Sequence, residues 1–133
     1  MYCKLQCFVY IFALYLTTIK IKTMDIENSK AQMRKGVLEF CILSVLSQGE
    51  KYPSDILEEL KSAKLLVVEG TLYPLLTRLK NEGLLNYRWV ESSSGPPRKY
   101  FTLTNDGVAF LKELTGAYKE LSDSVQTLIN QNL

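Results

Sequence analysis

The chain has 133 residues, of which 47% are apolar, and a formal charge of +2. That length suits one domain with a modest core. The small charge excludes a partner selected by bulk electrostatics, so any anion-binding surface must come from local clustering. There is no histidine, and Cys3, Cys7 and Cys41 form no zinc pattern. Cys3 and Cys7 can share a helical face, but two thiols do not fill a tetrahedral site. Cys41 lies in an apolar helix and reads as a small core residue. An odd cysteine count without a framework fits a reducing compartment, so the expected location is cytoplasmic. With no histidine base, no ligand cluster and no Gly-rich phosphate loop, neither an enzyme nor a metal or other cofactor is expected.

Charge is unevenly spread along the chain. The first 23 residues carry Lys4, Lys20 and Lys22 and no acid, which leaves 13 basic and 14 acidic residues over 24–133, a net −1. Residues 5–19, LQCFVYIFALYLTTI, are nearly all apolar. The run is shorter than the roughly 20 residues of a comfortable membrane span. Its Thr-rich exit offers no small-residue cleavage site. Met24 then opens the polar stretch DIENSKAQMRK. Residues 1–23 are therefore read as a mis-assigned upstream extension, with translation starting at Met24; a disordered tail and a membrane anchor are the alternatives, and no membrane partner is expected.

A first helix is expected from near Gln32 to Ser47, ended by Gly49. Its centre, VLEFCILSVL, is apolar on nearly every side and asks for burial on two faces. The second helix is SDILEELKSA, with Ser54 as cap and Ile56, Leu57 and Leu60 inward. The third begins between Glu69 and Thr71, and a Thr71 cap would put Pro74 in the first turn. Leu72, Leu75, Leu76 and Leu79 recur at helical spacing and face the core. Gly83 is a left-handed cap. Two strands follow, LNYRWVE and RKYFTLT, separated by SSSGPP, which reads as a loop at a protruding hairpin tip. Thr104 caps a last helix in which Leu111, Leu114, Tyr118, Leu121, Val125 and Leu128 step by 3 and 4, the spacing of a coiled-coil seam.

Three helices and then a hairpin make a winged helix-turn-helix, mainly α with a small β-hairpin. The winged domain covers 32–104 and a C-terminal dimerisation helix covers 105–133. The third helix would enter a major groove with the hairpin beside it.

The sequence resembles the PadR-like transcriptional regulators. KGVLEFCILSVLSQG at 35–49, GTLYPLLTRLKNEGLL at 70–85 and GPPRKYFTLTNDG at 95–107 carry the likeness, which spans Met33 to Leu128. A short single helix at the end is similar to the smaller subclass. The resemblance implies a homodimeric repressor, often of genes for stress, detoxification or drug efflux. Three departures stand out. EKYPSDIL replaces the usual Gly-Tyr pair before the second helix, Pro96 stands where a basic residue is common in the wing, and LLVVEG lacks a polar cap.

The candidate DNA-contacting residues are Thr71, Tyr73, Pro74, Thr77 and Arg78 on the third helix, Arg88, Arg98 and Lys99 on the hairpin, and Lys51 and Tyr52 before the second helix. Tyr and Thr hydroxyls suit phosphates or base edges, Pro74 a sugar or thymine methyl, and Arg78 a guanine or a phosphate. The bland readings are that Tyr73 packs on the hairpin, that Arg78 pairs with Glu82, that Arg98 and Lys99 are solvated charges, and that Trp89 is packing. Strand alternation puts Arg98 with Tyr100 on one face and Lys99 with Phe101 on the other. In drug-responsive relatives an aromatic at the position of Tyr118 lines a cavity between subunits, so Tyr118 is the candidate contact for a small aromatic effector; its bland reading is seam packing. The expected partners are a pseudo-palindromic double-stranded DNA operator and a second copy of the chain. The competing class is a winged-helix module for protein contacts, with the last helix as a docking stalk.

Overall fold

The computed structural model describes residues 2–132, with side chains described for 7–16 and 26–132. The side chain of Cys3, expected to share a helical face with Cys7, lies outside the described residues. The elements are α1 (Tyr2–Leu46), α2 (Pro53–Ser62), α3 (Glu69–Asn81), β1 (Leu85–Ser92), β2 (Gly95–Leu103) and α4 (Asn105–Gln131). Two compact units are distinguished, Met1–Val37 and Leu38–Leu133. In the first, Phe8, Tyr10, Phe12 and Tyr15 are exposed, and Lys30 donates to Glu27 at 2.8 Å. Among the described residues no helix is long and apolar enough to cross a membrane.

The helix expected from near Gln32 starts instead at Tyr2. No Gly or Pro interrupts residues 2–35, so nothing in the backbone ends the helix there.

The second unit holds the winged helix-turn-helix. Leu38, Ile42, Leu43 and Leu46 from α1, Ile56 and Leu60 from α2, Leu72, Leu76 and Leu79 from α3, and Leu84, Leu85 and Phe101 make one buried cluster. The leucine stripe read for α3 is therefore the core stripe, with Leu75 half-buried at its edge. The all-round apolar centre of α1 is largely satisfied within the unit: Cys41 and Val45 pack against the cluster, and the Phe40 ring meets Tyr118 at a centroid distance of 5.4 Å. α4 thus has an apolar partner in its own chain, because Leu111 and Leu114 also pack on the core. The seam residues beyond them, Leu121, Val125 and Leu128, are exposed.

Helix ends show which caps operate. α2 starts two residues earlier than a Ser54 cap would place it, at Pro53 after Tyr52, and the missing N–H of Pro53 costs nothing in the first turn. The Asp55 carboxylate accepts from the Tyr52 N–H at 3.1 Å. α3 starts at Glu69 after Val68, so Pro74 sits in the second turn rather than the first. A proline there removes the hydrogen bond to the carbonyl four residues back, that of Gly70. Gly83 ends α3 with φ +78°, as read from the sequence. Thr104 caps α4: its hydroxyl accepts from the Gly107 N–H at 3.0 Å and donates to the Gly83 carbonyl at 2.7 Å.

β1 and β2 form an antiparallel ribbon pairing Leu85 with Leu103, Tyr87 with Phe101 and Val90 with Arg98. SSSGPP is not a loop throughout, as the sequence suggests. Only Ser93 and Ser94 turn, and Gly95, Pro96 and Pro97 belong to β2. Both strands of a two-stranded ribbon are edges, and prolines are tolerated where the N–H faces solvent. Lys51 adds a bridge to Phe101, with hydrogen bonds of 3.1 and 2.9 Å. This fixes the start of α2 against the hairpin.

Gly107 is the tightest junction. A Cβ there would lie 2.1 Å from the Leu84 carbonyl oxygen, a backbone atom. Gly107→Ala should therefore lower stability by about 1–3 kcal/mol through overpacking, read as a shift of the urea midpoint at unchanged slope; an unchanged midpoint would mean the α4 junction is looser than drawn.

Candidate nucleic-acid interface

With Leu72, Leu76 and Leu79 buried, helical geometry turns Thr71, Tyr73, Pro74, Thr77 and Arg78 outward, and all five are exposed. Tyr73, Pro74, Thr77, Arg78, Asn81 and Glu82 line one open surface. The Thr77 hydroxyl donates to the Tyr73 carbonyl at 3.0 Å, which leaves its lone pairs and methyl group outward. Burial, and then the neighbouring Tyr52 and Glu69, push the Tyr73 phenol above its ordinary pKa, so it keeps its O–H donor at neutral pH.

The hairpin stands beside this face. A cleft of about 270 Å³ lies between α3 and the wing, lined by Tyr52, Pro53, Tyr73, Thr77, Trp89, Pro97, Arg98, Lys99 and Phe101. The structure thereby brings together Tyr52, Tyr73, Thr77, Arg98 and Lys99 from three separate stretches. The alternation read for the strand holds: Lys99 lies on the Phe101 side, its ammonium 4.0 Å from the Tyr87 ring centre and 5.0 Å from that of Trp89. Arg98 lies over the Tyr52 ring at 5.3 Å. Such cation–π contacts hold a charge in place without neutralising it.

The remaining candidate cations are placed differently. Arg78 is ion-paired with Glu39 of α1, and its Nε lies 3.8 Å from Glu82. Lys51 meets Glu59 at 2.5 Å and is largely covered. Arg88 donates from Nε and Nη2 to both oxygens of Glu50, at 2.6 and 2.7 Å. That hydrogen bond holds the Glu50 carboxyl below the usual range, so it is ionised at neutral pH. Among the described residues Arg98 and Lys99 have no carboxylate partner. The surface therefore separates into a cationic, aromatic cleft at the wing and three carboxylate-paired cations around it.

Three features escape the sequence reading. Trp89 is 61% exposed and lines the cleft rather than packing inside; alternation with Leu85 and Tyr87 places it beyond the end of the core. Lys80 lies 5.9 Å from the Tyr87 ring centre, on the wing side of α3. Glu39 and Glu50 are partners no local spacing reveals, because their pairs with Arg78 and Arg88 join distant segments, while Glu59 lies two turns into the helix that follows Lys51. On α4, Phe110 and Ile129 are exposed in addition to the seam residues. Among the described residues no group of three metal-ligating side chains comes together.

Comparison with known proteins fits this geometry. Residues 42–113 match the transcriptional regulator PadR-like family. A PadR-like transcription factor from Bacteroides fragilis is 58% identical, with a TM-score of 0.65 over 76% of this chain and 98% of that one. A PadR family transcriptional regulator from Eggerthella lenta is 32% identical, with a TM-score of 0.70 over 82% and 96%. Bacillus subtilis PadR, solved in complex with operator DNA, is 28% identical, with a TM-score of 0.56 over 59% of this chain and 46% of that one. A winged helix-turn-helix whose matched segment runs from the buried part of α1 into α4 identifies the protein: it belongs to the PadR-like family of transcriptional regulators, which are not enzymes.

Proposed function

We propose that this regulator acts as a homodimeric repressor on a pseudo-palindromic DNA operator, with α3 in the major groove and the hairpin along the adjacent backbone. The observation that carries the reading is the cleft where the outward face of α3 meets the wing, with Arg98 and Lys99, which have no carboxylate partner among the described residues, beside Tyr52, Tyr73 and Thr77. A family relative bound to its operator supports it. In this reading Arg98 and Lys99 neutralise phosphates, Tyr52 and Tyr73 bond phosphate oxygens, and Thr71, Pro74 and Thr77 meet base edges and thymine methyls. Arg78, Lys51 and Arg88 reach DNA only by exchanging the carboxylates that hold them.

The dimer would form through α4, whose exposed Leu121, Val125 and Leu128 continue the stripe begun by Leu111, Leu114 and Tyr118. Two-fold symmetry would then set the two α3 helices about 34–36 Å apart, or a multiple of it. An apolar or aromatic effector near Tyr118 would release DNA by changing that separation. It can do so only through its difference in affinity for the two arrangements.

Three measurements test these points. Binding to random duplex DNA should weaken linearly in log–log with salt, and Arg98→Ala or Lys99→Ala should each flatten the slope by about 0.9 per protomer. A flat response in the wild type would favour a protein-docking module instead. Leu121→Asp changes a residue that is 60% exposed in the single chain, so the fold should survive while light scattering shows monomers; a wild-type monomer at micromolar concentration would defeat the dimer. Calorimetry with planar aromatic compounds on the DNA-free protein should show heat that Tyr118→Ala loses, and equal binding by both proteins removes Tyr118 from any effector site.

A further inference from the structure

Glu50 follows the turn that closes α1, directly before Lys51, whose backbone pairs with Phe101 of the wing. That placement carries its carboxylate to Arg88 on β1, 38 residues away in sequence. The contact is a two-pronged fork, with Nε and Nη2 of one guanidinium on the two oxygens of one carboxylate at 2.6 and 2.7 Å. The Arg88 side chain is 66% exposed and that of Glu50 is 27% exposed. The cation is therefore presented to solvent with its counter-charge already attached. Arg98, one strand over, is presented without one among the described residues.

We propose that Glu50 masks Arg88 and so limits the number of DNA phosphates the wing neutralises. The inference rests on the DNA-binding reading. A phosphate approaching Arg88 meets opposite charges within hydrogen-bond distance, whose fields cancel beyond a few ångströms in salt water. To engage Arg88 it must displace a charge-assisted, bidentate partner and then sit beside the freed carboxylate. The consequence falls on binding that is blind to sequence. Each neutralised phosphate strengthens attachment to any duplex, so masking one cation per wing lowers affinity for random DNA more than it lowers discrimination between sites.

The test uses the full-length protein and random-sequence duplex DNA, with affinity measured by fluorescence anisotropy over a series of salt concentrations. Glu50→Gln keeps the shape and one acceptor while removing the charge, and Glu50→Ala removes both. Each should steepen the slope of log K against log salt by about 0.9 per protomer and tighten binding at low salt several-fold. The neutral double variant Glu50→Gln with Arg88→Gln should return to the wild-type slope. Glu120→Gln, which removes the same charge from an exposed position on α4, should leave the slope unchanged. Circular dichroism confirms folding of each variant. An unchanged or flatter slope for both Glu50 variants overturns the mask. So does a double variant about one unit flatter than wild type, because Arg88 would then already be on a phosphate with Glu50 aligning it. A wild type without salt-dependent binding to any duplex overturns the DNA-binding reading itself.

Discussion

The burial of Leu72, Leu76 and Leu79 is the constraint on which the rest of the winged domain depends. These three side chains lock α3 against Ile42 and Leu43 of α1 and Ile56 and Leu60 of α2. An apolar side chain of this size contributes about 1.5–3 kcal/mol when fully buried, so no rotation of α3 about its axis is affordable. The outward direction of Tyr73, Pro74 and Thr77 follows from that lock. Pro74 fits the same logic: it and Gly70, whose carbonyl loses its helical partner, are both exposed.

From α3 the constraint passes to the wing through a short chain of backbone contacts. Gly83 in the left-handed region reverses the chain, and the Leu84 N–H returns to the Leu79 carbonyl at 3.0 Å. The Leu84 carbonyl then accepts from Thr104 at 3.1 Å and leaves Gly107 no room for a side chain. One residue thus joins the end of α3, the return of β2 and the start of α4. The hairpin is held at its base by Leu85 and Phe101 in the core and by the Lys51 bridge along its other edge. Its tip, carrying Arg98 and Lys99, is held at a defined position beside Tyr73.

Charge completes the picture in a way that counting cannot. Six basic side chains surround the outer face of α3 and the wing, Lys80 among them, yet Lys51, Arg78 and Arg88 are each met by a carboxylate from their surroundings. The exposed pairs of Arg78 and Arg88 contribute little to stability. Their effect is on the external field, which becomes concentrated at Arg98 and Lys99. Those two are ordered by aromatic rings instead, which fixes their position while leaving their charge intact.

The sequence by itself determined the order and type of the elements from α2 onward, the core stripe of α3, the Gly83 and Thr104 caps, the two faces of the strand carrying Arg98 and Lys99, and the family. These are local matters, written in side-chain periodicity and in residues whose backbone preferences are strong. It missed where α1 begins, because residues 2–35 read as separate stretches although no Gly or Pro breaks them. It missed the cap of α2, where neighbouring residues compete to start the helix, and the extent of the wing turn, because prolines on an edge strand cost no ladder bond. Only the tertiary structure decided which cations stay free. Glu50 and Arg88 are 38 positions apart, and Glu39 and Arg78 lie on different helices. Such pairing depends on how elements cross in space, and no periodicity along the chain encodes it. Trp89 is exposed for the same reason: the strand that carries it outruns the core, and where a core ends is a property of the packed layers, not of the strand.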